Sequence, residues 1–564
     1  MVGKRKSVWL WTIFFLLALL IVNIAGQYFF ARIDFTKEGR YTLTEQSKNI
    51  LRQARKPVTI RVYLEGEMPA AFKRLRSAVK DLLTDYKAYS GSDVNIIFID
   101  PLSGLSAGAE QDTVISRLYQ AGIEPTTLNI KNDNGFAQKT IFPMAMVEGN
   151  GNGMPVKLLQ NLDASGNYEQ NINNSIQNLE YTFTSAIQKI LSGVYPRIGF
   201  SEGNGELNDL QLDDAIKSLS ESYEVGRVNL NLIDQQGLDK LKVLFIAKPQ
   251  KEFTEAEKYK INYFVMKGGR VVWCLDQVAA ELDSMGRSGA RPGEQLAFNR
   301  KLNLDDMLFM YGARVNYNLI ADANCAEIPL SMGTQQQIQM APWVYYPLLM
   351  PDTATSLVRN IDGIRTEFAS TVDTIAVKGI KKQVILRSSP FNKLHNTPKM
   401  LSLQMVEEQP DPRSYASVPQ SGGVLLEGVF PSVFINRSLP EGIEADYRLP
   451  AGAKASKMIV IGDGDVFKNQ ISSRDGSVFP LGFDRYTQRN FGNKALLLNI
   501  ADYLANEENL IALRSKEIKV RLLDRTLVKA EKLNWQLLSV LLPLLLLISF
   551  AIFQHYYRKR KYAR

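Results

Sequence analysis

The sequence predicts an α/β protein in which two sheet-containing domains lie between two transmembrane helices. Three observations predict it. Residues 7–31 and 533–557 carry no ionised side chain, and each run exceeds the roughly 20 residues that cross a bilayer as a helix. Between them, apolar runs of strand length alternate with amphipathic runs of helix length over two separate stretches. A segment rich in Gly and Asn, residues 149–166, followed by one more helical run, divides the two stretches. A length of 564 residues agrees, since domains of roughly 100 to 200 residues make two or three the expectation.

The ends set the topology. Residues 1–7 form a basic start with Lys4, Arg5 and Lys6, and residues 8–31 the first span. The competing reading is a cleavable signal peptide, but the apolar run is longer than a signal core and no clean Ala-x-Ala site follows. The second span is 533–557, and Arg558, Lys559, Arg560, Lys561 and Arg564 crowd the tail 558–564. Cytoplasmic flanks are enriched in Lys and Arg, so both termini are placed in the cytoplasm. The candidate anchor residues are Trp9, Trp11, Asn23, Trp535 and Pro543. Asn23 shares a helical face with Gln27, where polar side chains can bond a neighbouring helix, and Pro543 introduces a kink. The eight terminal cations account for nearly all of the formal charge of +9 and leave about +1 for the rest. The basic balance is therefore a topology signal that also suits anionic lipid headgroups, not a nucleic-acid footprint.

After the first span, residues 58–64 read as a strand, 70–89 as an amphipathic helix, 94–99 as a strand, 111–121 as a helix, and 127–131 and 140–147 as strands. This order resembles a thioredoxin-like domain, placed at 32–192, but no Cys-x-x-Cys is present and a redox role is excluded. Helix 178–191 ends before Gly193, Tyr195 and Pro196. A second alternation follows: strand 198–200, helix 212–223, strands 225–230 and 243–247, helix 254–266 and strand 270–275, resuming with strand 458–461 and helix 494–505. Such alternation implies a parallel sheet covered on both faces. The domain is placed at 193–510 with an insertion at about 283–455. Residues 511–532 are a juxtamembrane stalk, either helical throughout or an edge strand followed by a helix.

Two cysteines, Cys274 and Cys325, are too few for a disulfide scaffold. No G-x-x-x-x-G-K-[ST] occurs, so a nucleotide motor must be another chain. Residues 104–108 match G-x-S-x-G, but they do not follow a strand-to-helix elbow, and the only histidine outside the span region is His395. The loop S-E-G-N-G-E, residues 201–206, follows a strand where α/β sheets often bind ligands, against a purely structural turn. Glu202, Asn204 and Glu206 are its candidate ligand residues. Asp463 and Asp465, in I-G-D-G-D-V-F after another strand, could meet a cation, though two acids around a turn glycine commonly form a loop. Trp343, Tyr345 and Tyr346 are read as core or interface. No metal site and no cofactor are expected.

The combination of I-D-F-T-K-E-G-R-Y-T-L-T (33–44), R-I-G-F-S-E-G-N-G-E (197–206), I-G-D-G-D-V-F (461–467), N-K-A-L-L-L-N-I-A-D-Y-L (493–504) and two terminal spans resembles the gliding-motility-associated ABC-transporter auxiliary proteins of the GldG type. The resemblance covers nearly the whole chain. It implies a glutamine-amidotransferase-like α/β fold for the second domain and a non-catalytic subunit of a bacterial inner-membrane complex, with its bulk in the periplasm. The implied partners are a multispan ABC permease, a cytoplasmic ABC ATPase reached through it, and a periplasmic or envelope client. Relatives often carry G-H-G-E where this chain has Gly203, Asn204, Gly205 and Glu206, which argues against catalysis here. The alternative is a structural scaffold linking the inner membrane to envelope or gliding machinery without transport.

Overall fold

The computed structural model describes residues 14–19, 42–105, 108–132, 135–159, 168–193, 195–285, 293–332, 337–352, 354–358, 361–406, 414–415, 418–435, 437–443, 447–450, 452–472, 474–505 and 525–562. They form a mixed α/β architecture in two compact units, Met1–Lys516 and Glu517–Arg564.

In the first part of the larger unit, Val58–Val62 points Val58, Ile60 and Val62 inward on alternate positions, as one buried strand face requires. It pairs in parallel with Val94–Phe98 and antiparallel with Met144–Gly149, which pairs in turn with Asn152–Lys157. Helix Ala70–Tyr89 has the expected limits. It buries Phe72, Leu75, Val79, Leu83 and Tyr86 at three- and four-residue spacing, one apolar stripe of an α-helix. That stripe shares a core with Ile172, Leu179, Phe183 and Ile187 of helix Tyr168–Ser192.

Two expectations fail here for local reasons. The single strand expected over 140–147 is two strands, Gly135–Ile141 and Met144–Gly149 in different sheets, broken at Phe142 and Pro143. The expected loop at 149–166 contains strand Asn152–Lys157. It tolerates Pro155 because it ends the sheet order, where a missing N–H costs no ladder bond.

The second part is built on a sheet in the order Cys325–Met332, Gln337–Pro351, Ile380–Arg387, Ser421–Gly428, Ser456–Ile461, Arg270–Cys274, Leu241–Ala247, Arg197–Glu202 and Glu224–Asn229. The last five are mutually parallel. Alternate residues enter two cores. Phe245, Val272 and Ile459 face helix Asn493–Ala505 through Leu497 and Ile500, while Leu244, Ile246, Trp273 and Val460 share the other core with helix Glu255–Met266. That helix starts at Thr254 with a reciprocal capping box to Glu257, which satisfies two of the amide groups a helix start leaves open.

The expectation of a parallel sheet interrupted by an insertion is corrected: strands of the insertion continue the sheet in antiparallel fashion. Ser456–Ile461 is buried at every position but Lys457, so its free edge needs a partner, and Ser421–Gly428 supplies one.

The smaller unit's described residues form one helix, Arg525–Tyr562, with Pro543 inside it. The segment Trp535–Lys561, 27 residues with an 18-residue stretch of mean hydropathy 2.5, is long and apolar enough to cross a membrane. Of the expected first span only residues 14–19 are described, and they are helical; Trp9, Trp11 and Asn23 lie outside the described residues, as does most of the expected stalk.

Candidate functional site

Three neighbouring parallel strands, Leu241–Ala247, Arg270–Cys274 and Ser456–Ile461, end at one place, and the residues just past their carboxyl ends are Lys248, Asp276, Asp463 and Asp465. Lys248 takes a left-handed backbone conformation, φ 56°, uncommon for a residue with a side chain. Its N–H donates to the Cys274 carbonyl at 2.9 Å. Its ammonium lies 2.5 Å from Asp465 Oδ2, 2.8 Å from Glu281 Oε1 and 3.7 Å from Asp276 Oδ2. Lys468 adds a second cation, 2.9 Å from Asp465 Oδ1 and 3.6 Å from Glu367 Oε2, and Arg365 holds Glu367 at 2.7 Å. Backbone amides complete the cluster: Gly464 donates to Asp276 at 2.5 Å, Asp465 to Asp463 at 3.0 Å, and Glu367 to Asp463 at 3.2 Å. A side chain at Gly464 would press on Lys248 Cγ at 2.7 Å and Asp276 Cγ at 3.0 Å, so the lysine packs directly against that turn.

Five carboxylates thus meet three cations, mostly out of water, and their proton affinities diverge. Burial pushes Asp276 up to about 7, with Lys248 opposing it. Burial, followed by Asp276 and Asp465, drives Asp463 well above the usual carboxylate range. Asp465 is held down at about 2, because Lys468 and Lys248 outweigh its burial. Lys248 is raised, its burial overcome by Asp465 and Asp276. The oxygens of Asp276, Glu281 and Asp465 lie within 4.8 Å of one another, a spacing suited to a hard cation, but the charge they surround is the Lys248 ammonium. The chain carries its own counter-ion there.

A pH prediction follows. Asp276 binds its proton more tightly folded than at its ordinary value of 3.8, so its contribution to stability is full below that value and is lost as pH rises toward 7. Asp465 acts in the opposite sense, its contribution being present above 3.8 and lost as pH falls toward 2. The thermal midpoint is expected to fall as pH climbs from 5 to 8, and Asp276→Asn to flatten that slope; an unchanged slope in the variant would contradict the assignment.

The S-E-G-N-G-E loop is tied down differently. Gly203 and Gly205 take φ 116° and 79°, which glycine adopts at little cost. Asn204, buried, donates its side-chain amide to Glu257 at 3.0 Å and its backbone N–H to Glu206 at 2.7 Å. Its carbonyl accepts from Gln250 and Lys251. Glu202 accepts from Arg227 at 3.2 Å. These partners join the loop to the start of helix Glu255–Met266, whose capping residue Glu257 also receives Asn231 at 2.9 Å.

The structure therefore brings Asp463 and Asp465 together in one cluster and holds Glu202, Asn204 and Glu206 in another. Lys248, Asp276, Glu281, Glu367, Arg365 and Lys468 were not singled out in the sequence. The available signal for Lys248 and Asp276 was their position, one or two residues past a strand. Cys274 and Cys325 are free thiols, and burial, then Asp463 and Asp276, pushes the Cys274 thiol up. His395 Nδ1 bonds Tyr345 Oη at 2.7 Å, and burial, then Lys399 and Lys393, brings it down to about 4. Ser106 lies outside the described residues. Trp343, Tyr345 and Tyr346 are buried against one another and Phe368.

Residues 195–500 match the family described as an ABC-type uncharacterized transport system. The chain belongs to that family. The matched span begins at the first parallel strand and includes every residue of the ion-paired cluster. Residues 37–148 match a domain of unknown function (DUF7088). A Borreliella burgdorferi protein described as uncharacterized is 20% identical over 521 residues, covering 89% of this chain and 88% of its own length. Among solved structures, the N-terminal domain of mmIFT52 is similar at TM-score 0.30 and 12% identity, covering 56% of this chain and 99% of that one. Membership makes the protein an auxiliary component of an ABC transport system, and the apolar helix Trp535–Lys561 suits membrane anchoring.

Proposed function

We propose that the protein is a non-catalytic, two-span subunit of an inner-membrane ABC transport complex, holding its folded bulk in the periplasm. It binds a multispan permease through its apolar helices, reaches the cytoplasmic ATPase through that permease, and meets an envelope client with its folded part. The observation that carries this reading is the family match over residues 195–500, in a chain with the apolar helix Trp535–Lys561. The ion-paired cluster supports the non-catalytic part. Its acids are matched by lysines of the same chain and mostly buried, whereas general acid–base catalysis needs a group within reach of substrate.

The finer elements of the proposal are a boundary near residue 193, a thioredoxin-like domain before it and an amidotransferase-like domain after it. The parallel-then-antiparallel pairing of Val94–Phe98, Val58–Val62, Met144–Gly149 and Asn152–Lys157 supports the first, and helices on both faces of five parallel strands support the second. A ligand or client would be met at the carboxyl edge of those strands, where Glu202, Asn204, Glu206, Asp463 and Asp465 reside. Service in gliding motility rests on the resemblance of the four sequence segments and the two terminal spans.

Affinity purification of the full chain from its own membranes in mild detergent tests the proposal. The expected co-purifying chains are a multispan permease and an ATPase with a phosphate-binding loop. Recovery of envelope structural proteins without either would replace transport by a scaffold role.

A further inference from the structure

Helix Tyr168–Ser192 belongs to the first core and helix Asn493–Ala505 to the second, and one carboxylate joins them. Tyr181 donates its hydroxyl to Asp502 Oδ2, while Tyr223, from the sheet domain, donates to Asp502 Oδ1. All three side chains are buried. Lys189, also buried, places its ammonium 4.8 Å from the centre of the Tyr223 ring, a cation–π contact strengthened by loss of water. Lys157 reaches Glu221 at 2.9 Å beside it.

The same helix touches the ion-paired cluster at its other end. Asn493 accepts from the Arg365 amide at 3.1 Å and donates to the carbonyls of Arg365 and Val466 at 2.8 and 2.9 Å. The nine residue steps from Asn493 to Asp502 span about 14 Å of helix. Leu496, Leu497, Ile500 and Leu504 bury its length in the sheet core. In sequence it is the last described element before the helix Arg525–Tyr562.

We propose that Asp502 is a polar joint that locks the N-terminal domain onto the sheet domain, so that the two move as one body, and that opening this joint lets them move separately. The physical basis is that the contact is a shared, desolvated acceptor. Two hydroxyls from different domains converge on a single buried carboxylate, and withdrawing either removes one of the hydrogen bonds that offset its loss of water. A wholly apolar seam would have no such polar contact to release, and relative motion is the default where no strong interface opposes it. The inference rests on the domain boundary proposed near residue 193 and does not depend on the transport reading.

The test is pulsed electron spin resonance on the full chain in lipid nanodiscs, with spin labels at exposed Lys73→Cys and Lys378→Cys in a Cys325→Ser background, compared with Tyr181→Phe and Asp502→Ala. The parent should give one narrow distance distribution. Both variants should broaden it toward new distances while hydrogen exchange in Val58–Val62 and Leu241–Ala247 stays protected. If Asp502→Ala loses protection in Leu241–Ala247, Tyr181→Phe decides, because it leaves the Tyr223 bond in place. A distribution in Tyr181→Phe as narrow as the parent's would overturn the proposal.

Discussion

Replacing Lys248 with methionine is expected to lower the unfolding free energy by about 3 to 5 kcal/mol, the cost of removing one partner from a buried ion cluster. Methionine keeps the unbranched shape of the side chain, one heavy atom shorter, and removes the ammonium with its charge and its donors. Asp465, Asp276 and Glu281 then lose the ammonium that lies within 3.7 Å of each, and Lys468 is left to balance Asp465 alone. The comparison that isolates electrostatics is Lys248→Met with Asp465→Asn. Removing both members of the closest pair should recover a large part of the loss, because the penalty lies in the orphaned charge rather than in the missing bond. Chemical denaturation of the purified full chain, followed through a signal from the core around the parallel strands, measures both. If the single substitution shifts the midpoint no more than an exposed lysine substitution does, the cluster does not hold the strand ends together.

The second large effect is expected at Trp273. It sits in strand Arg270–Cys274 between Val460 and Ile246, with no solvent exposure. Truncation to alanine should cost about 3 to 5 kcal/mol, the sum of lost burial and the cavity left behind. Among the described residues the indole N–H has no hydrogen-bond partner, and an unmet buried donor carries its own penalty of about 1 to 3 kcal/mol. Trp273→Phe removes that donor together with part of the ring, so the two terms oppose and the net loss should stay under about 1.5 kcal/mol. Denaturation midpoints of the two variants decide the matter, since equal losses would contradict the cavity account, in which the phenyl ring refills most of the space that alanine leaves empty.

Local chemistry was readable from the sequence wherever neighbours along the chain supply it. Helix Ala70–Tyr89 appears with the limits its spacing requires, because its apolar stripe repeats every three or four residues whatever it packs against. Thr254 and Glu257 cap a helix from positions three apart. The apolar run ending in Arg558, Lys559, Arg560 and Lys561 needs only its own composition to be a candidate span.

Tertiary structure decided what depends on residues distant in sequence. Asn152–Lys157 reads as a loop by composition, with Gly153 and Pro155, and becomes a strand because Met144–Gly149 offers it an edge. The insertion joins the main sheet because a strand buried at all but Lys457, Ser456–Ile461, needs a partner on its second side. Asp463 and Asp465 stand out as a pair in sequence, but their partners come from positions 248, 276, 281, 367 and 468, each ordinary among its own neighbours. Only the convergence of three parallel strand ends brings those charges within ion-pair range, and in a buried setting that proximity is what raises one aspartate and depresses another.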